Sequence, residues 1–251
     1  MDLVESEIFS GLRHPWETAR VEAVRALLQD KIRPGAQLRA LDLGCGDGFV
    51  AEQLFGREPG AHAVLVDTGF TDSVAGRMDD HGGRFSFHGS LDKVGDIKFD
   101  LALMLDVLEH AEDDLGLLSA VASRLEDDGS MLITVPAFQA LFSSHDIFLK
   151  HFRRYSLGQL LALAERAGLS VQRSGYLFSS LLLPRAMAAM AQKLGLGGGE
   201  AKGVGGWTGG AFVTGLISGA LKLDNRALIA LAGAGIKLPG LTAWMICQKQ
   251  R

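Results

Sequence analysis

The run Leu41-Asp42-Leu43-Gly44-Cys45-Gly46-Asp47-Gly48 places glycines at alternate positions directly after an apolar stretch, and a second apolar stretch ends at Asp67. An apolar run entering such a bend is a buried strand that turns sharply. Only glycine takes left-handed backbone angles at no steric cost, and without Cβ atoms at 44, 46 and 48 a ligand can lie against the main chain. At the tip of the next strand, Asp67 is placed to accept hydrogen bonds from both hydroxyls of a ribose. The pairing implies a nucleoside-type cofactor at the carboxyl ends of a parallel sheet.

Spacing narrows the choice. A dinucleotide fingerprint needs a third glycine three residues after Gly46, where this chain has Phe49. No Lys-Ser or Lys-Thr follows the glycines, so a phosphate-binding P-loop is excluded. Asp42-x-Gly44-x-Gly46-x-Gly48 resembles the first motif of the class I S-adenosylmethionine-dependent methyltransferases. The run from Phe99 to Leu105, followed by Asp106-Val107-Leu108-Glu109-His110, is similar to the fourth strand of that family and the loop after it. Three further segments resemble a bacterial small-molecule subgroup: His14-x-Trp16-x-x-x-Arg20, Val135-Pro136-Ala137 and His151-Phe152-Arg153-Arg154-Tyr155-Ser156. The likeness covers about residues 12–175.

Hydrophobic periodicity places strands at about 38–43, 61–67, 84–88, 99–105, 130–135, 169–177 and 242–248. Helical spacing lies between them, clearest at Leu118, Val121, Ala122 and Leu125. Pro15 suits a first helical residue, Ser156 and Gln159 have capping-box spacing, and Gly168 suits a left-handed helix end. This alternation predicts an α/β fold with a parallel sheet covered on both faces. The resemblance makes the expectation sharper: a Rossmann-like, seven-stranded, mostly parallel sheet whose last strand inserts antiparallel beside the fifth. One domain is expected, with an N-terminal helical lead-in (1–36), a cofactor-binding core (37–177), a helical and glycine-rich insertion (178–240) and the last strand (241–251).

Charge is unevenly spread. Residues 1–172 carry 16 basic and 27 acidic side chains, against nine and two in residues 173–251. A basic, apolar carboxyl-terminal third suits an anionic membrane surface or an anionic substrate. Residues 204–221 lack charge, but six of those 18 are glycine, so a lid or peripheral membrane patch is expected over a span. Two cysteines, Cys45 and Cys247, give no disulfide framework, and Met1-Asp2-Leu3-Val4-Glu5 does not read as a signal peptide. A cytoplasmic setting is expected, at most peripheral to the inner face of the membrane.

What the resemblance implies about residues can be placed on this chain. S-adenosyl-L-methionine would be held by the turn Gly44, Cys45, Gly46, Asp47 and Gly48, with Asp42 ordering that turn or reaching the cofactor amine. Asp67 and the adjacent Thr68 would meet the ribose, and Ser90 and Leu91 the adenine. Leu105, Asp106 and Val107 would line the cofactor, and Arg20 would pair with its methionine carboxylate. An acceptor hydroxyl benefits from a base, for which His110, His145 and His151 are candidates. Arg153 and Arg154 offer bidentate geometry for a substrate carboxylate or phosphate. His145 and His151 lie six residues apart with no cysteine to complete a set, so no metal is expected.

The function expected is methyl transfer to a small-molecule or lipid-linked acceptor, with O-methylation favoured. The alternative is a non-catalytic nucleoside-binding or membrane-associated partner protein on the same fold. No aromatic and basic stripe signals nucleic acid, and the acidic half of the chain would repel phosphates.

Overall fold

A computed structural model describes residues 13–71, 78–195 and 207–250. Helix α1 (Pro15–Leu27) starts on the expected proline, with His14 accepting a hydrogen bond from Trp16 N through Nδ1 at 3.1 Å. Strand β1 (Leu38–Leu43) follows and runs into the glycine turn, after which α2 spans Phe49–Phe55. Strands β2 (Ala61–Val66), β3 (Phe85–His88) and β4 (Phe99–Leu105) come next. Then come α3 (Asp114–Ser123), β5 (Leu125–Pro136), a one-turn α4 (Ser144–Phe148), α5 (Leu157–Arg166) and β6 (Leu169–Leu177). The chain continues through α6 (Leu182–Lys193) and α7 (Ala211–Gly233) to β7 (Thr242–Lys249).

The seven strands form one sheet in the order β3-β2-β1-β4-β5-β7-β6. The first five run parallel, and β7 pairs antiparallel with both β5 and β6. Order reverses between β1 and β4, the point at which open α/β sheets leave a crevice at their carboxyl ends. Strands buried on both faces need apolar side chains at successive positions, which is why Leu101 to Met104 are all fully buried. On one face α1, α2 and α7 pack through Val24, Leu27, Phe55 and Leu221 against Leu65, Leu103 and Trp244. On the other, Leu118 and Val121 of α3 and Leu160 and Leu163 of α5 meet Met104, Ile133 and Val135.

Strand β5 begins earlier than the apolar pattern predicts. Leu125 pairs with Phe99 and Ser130 with Leu101, so residues 126–129 bulge out of register. Those residues are Glu126, Asp127, Asp128 and Gly129, whose polarity hides the strand from a hydrophobicity pattern.

The insertion contributes two helices among the described residues. On α7, Ser218 Oγ lies 2.6 Å from Thr18 Oγ1 of α1, and buried Asn225 accepts from Phe178 N at 2.9 Å. Helix α6 leans the other way, toward α4: Gln192 Oε1 accepts from Ser144 N at 3.2 Å, and Lys193 Nζ donates to Ala140 O at 2.9 Å. Among the described residues no helix is long and apolar enough to cross a membrane, since Lys222, Asp224 and Arg226 interrupt α7. Part of the uncharged stretch, 204–206, lies outside the described residues.

Candidate active site

The glycine turn is held from below by β2, whose Val66 O accepts from Gly44 N at 2.7 Å and Cys45 N at 3.3 Å. Gly44, Gly46 and Gly48 take φ angles of +71°, +55° and +73°. Gly44 is required twice over, because a Cβ there would stand 2.5 Å from Val107 Cγ2. Asp67, just past β2, accepts from Gly46 N through Oδ2 at 2.9 Å and from Gly69 N through Oδ1 at 2.8 Å. Its carboxylate therefore fastens the turn, and each oxygen keeps a second lone pair. Thr68 is exposed beside it, and Asp47 is ion-paired with Arg13 at 2.6 Å.

Asp42 lies under the turn, 2% exposed, and its Oδ2 has no hydrogen-bond partner among the described residues. Burial raises its pKa to about 7, against the pull of the Arg20 guanidinium and with a further push from Asp67. Burial also drives the Cys45 thiol far upward, with Asp42 and Asp67 adding to it, so this cysteine is inert.

Asp106, at the β4 tip, takes a φ of +57° and accepts from Thr134 Oγ1 at 3.1 Å. Its Oδ2 lies 2.9 Å from the Arg20 guanidinium. The resemblance implied a cofactor carboxylate as the partner of Arg20; among the described residues its guanidinium is ion-paired with Asp106. Leu105 is buried, and Val107 closes over Gly44. Ser90 and Leu91 follow β3, with Leu91 opening a single 3₁₀ turn to Val94.

Beyond Val107 the 3₁₀ turn Leu108–His110 carries a carboxylate that sequence reasoning passed over. Glu109 is 1% exposed with neither oxygen hydrogen-bonded among the described residues, and burial, with Asp106 adding to it, holds its pKa well above the carboxylate range. The signal available was its position, a charged residue four positions past the end of β4, between Leu108 and His110. His110 follows it, and its ring meets that of His151 edge to face at 4.6 Å between centroids.

His151 is fixed from behind by Asp146, whose Oδ1 lies 3.0 Å from its Nδ1. Asp146 is fully buried and also binds Arg154 Nε at 2.7 Å, Arg185 at 3.2 Å and Ser143 N at 3.0 Å. Burial alone would raise its pKa, but the hydrogen bonds from His151 and Arg154 outweigh that and hold it far below the usual range. These contacts correct the expectation for the arginines. Arg154 is a buried counter-ion to Asp146, which the short helix α4 turns inward, and Arg153 is occupied by Asp114 at 2.9 Å and Glu112 O at 2.9 Å. His145, on α4, is half-buried, and its pKa is lowered by burial and by Arg185. The sequence offered His110, His145 and His151 as separate candidate bases; the fold brings the rings of His110 and His151 together.

A family model for a methyltransferase domain matches residues 16–174. No curated protein matches the chain. Solved structures similar in fold include an S-adenosylmethionine-dependent methyltransferase from Archaeoglobus fulgidus, 19% identical with a TM-score of 0.53, covering 91% of this chain and 94% of that one. Another is the 1,6-didemethyltoxoflavin-N1-methyltransferase of Burkholderia thailandensis, 17% identical, TM-score 0.55, covering 93% and 79%. An O-methyltransferase family protein from the same species is 14% identical, TM-score 0.55, covering 94% and 58%. The likeness reaches proteins named for different methylated atoms, so it concerns the fold. With the matched domain spanning the sheet from α1 to β6 and the glycine turn at its switch point, the chain belongs to the methyltransferase domain family as a class I S-adenosylmethionine-dependent methyltransferase.

Proposed function

We propose that this enzyme transfers the cofactor methyl group to a hydroxyl oxygen of a small-molecule or lipid-linked acceptor. The observation that carries the reading is the His110–His151 pair beside the β4 tip, with Asp146 on His151 Nδ1. An imidazole whose Nδ1–H is engaged by a carboxylate presents Nε2 as a proton acceptor. A hydroxyl is a weak nucleophile near neutral pH, and a base at that point takes its proton as the new bond forms.

The residues present fit the cofactor. A buried Asp42 oxygen with no partner among the described residues, beneath an open glycine turn, suits the ammonium of a methionine tail, and Asp67 retains acceptor capacity for a ribose diol. On this reading Gly44, Cys45, Gly46, Asp47 and Gly48 line the methionine part, and Ser90 and Leu91 the adenine. Thr68 and the Leu105, Asp106 and Val107 segment complete the walls. Arg20 acts by holding Asp106, and His145 on α4, its pKa lowered by burial and by Arg185, is a further candidate base. The cofactor supplies a methyl group activated by its sulfonium; everything else falls to alignment and exclusion of water by the chain.

The insertion expected at 178–240, of which 196–206 lie outside the described residues, serves this site as a lid with a lipid-facing side. Along α6 the exposed side chains Leu183, Met187, Met190 and Leu194 share one helical face, and Ile147 and Phe148 of α4 are also exposed. An apolar stripe in a basic third of the chain suits an interfacial position. The test supplies protein and labelled S-adenosylmethionine to small-molecule and lipid extracts, then locates the methyl group by fragmentation. A methyl ether product supports the reading; a methyl ester, label on nitrogen, carbon or sulfur, or no product, defeats it.

A further inference from the structure

We propose that Glu109, His110 and His151 form a binding site for a divalent transition-metal cation at the mouth of the active site. A carboxylate oxygen of Glu109 and a ring nitrogen from each histidine lie within 4.8 Å of one another. Two imidazoles and one carboxylate are a donor set that suits zinc, iron, nickel or manganese over magnesium or calcium. Ligands at about 2.1 Å from such an ion stand about 3.4 Å apart, a convergence within the reach of side-chain rotation.

Two independent observations point to an ion. The first is Glu109, 1% exposed with both oxygens unpartnered among the described residues, a costly state for a carboxylate. The nearby arginines are turned to other acids, Arg20 to Asp106 and Arg154 and Arg185 both to Asp146, and among the described residues none of them hydrogen-bonds a Glu109 oxygen. A bound cation satisfies what these leave over. The second is the shell behind His151. Asp146 engages its Nδ1 and is itself locked by two arginines and Ser143, the carboxylate–histidine arrangement that orients an imidazole and sharpens it as a ligand through the other nitrogen.

Glu109 and His110 sit on the turn after β4, and His151 comes from beyond β5, so this trio joins only when the sheet forms. Three protein ligands leave coordination positions open, as catalytic sites do and closed structural sites do not. An acceptor oxygen fits one of them; there the cation would lower the hydroxyl's pKa so that its proton passes to solvent water, and the histidine rings would serve as ligands in place of acting as the base. That consequence rests on the methyl-transfer reading; occupancy of the site does not.

The experiment uses untagged full-length protein, stripped with chelator, and titrates zinc, manganese or cobalt(II) alone by calorimetry, with the visible absorption of cobalt(II) as a second readout. One equivalent should bind, and His110→Ala and His151→Ala should each weaken it at least tenfold, while affinity for S-adenosylhomocysteine stays within about twofold. Because Glu109 is buried, Glu109→Gln is a supplementary variant, read only alongside its circular dichroism. No stoichiometric binding by the wild type, or binding indifferent to both histidine variants, overturns the proposal. Loss of S-adenosylhomocysteine binding by the wild type would instead count against the methyl-transfer reading.

Discussion

Replacing Asp42 by Asn should change how stability depends on pH. The carboxyl group is fully buried and its pKa stands at about 7, whereas in the unfolded chain it returns to the ordinary value near 3.8. Between those values the folded state holds a proton that the unfolded state has lost, so stability falls as pH rises from about 4 to 7 and levels off above. At about 1.4 kcal/mol per unit, the full cost is on the order of 4 kcal/mol, of which about 3 kcal/mol accrues between pH 5 and pH 8. Asn has the same shape and no titration. Its own unsatisfied amide costs the same at every pH and cancels when one pH is compared with another. Urea denaturation of both proteins at pH 5, 6, 7 and 8 should therefore show Asp42→Asn gaining on the wild type by about 3 kcal/mol across the range. A gap that stays constant to within 0.5 kcal/mol, on the order of ordinary experimental scatter, would show that Asp42 is ionised inside the fold and refute the reasoning.

Gly44→Ala should destabilise the protein by about 3 kcal/mol, since it adds a left-handed backbone penalty to a clash 2.5 Å from Val107 Cγ2. Combined with Val107→Ala it should recover the steric part and keep the backbone part; equal stability of Gly44→Ala and wild type in denaturant would contradict this. Asp67→Ala should lower calorimetric affinity for S-adenosylhomocysteine tenfold or more, one decade corresponding to about 1.4 kcal/mol. Since Asp67 also fastens Gly46 N and Gly69 N, Asp67→Asn is run beside it, and unchanged affinity in both would remove Asp67 from the site.

The parts of the fold visible beforehand were those set by local chemistry. Pro15, the Ser156–Gln159 capping box and Gly168, which takes a φ of +72°, sit where the sequence put them, because caps and left-handed residues depend on neighbours one to four positions away. Strands buried on both faces were legible as unbroken apolar runs, and the polar start of β5 was not. In the site, Asp67 and the glycine turn could be named together because the motif spans only two adjacent strands. The surroundings of Arg20, Arg154 and Glu109 could not be read in advance. Their partners, or the want of one, lie 86 residues away in the first case, eight in the second and in no described residue in the third.

Sequence by itself determined the α/β class, the glycine turn and the family resemblance, since periodicity and backbone permissiveness are written in the order of residues. Tertiary structure decided which charges neutralise one another, that Asp146 stands behind His151, and that His110 and Glu109 meet that ring at one end of the sheet. Burial and the field of neighbouring charges belong to a side chain's surroundings, and those surroundings exist only after distant segments pack.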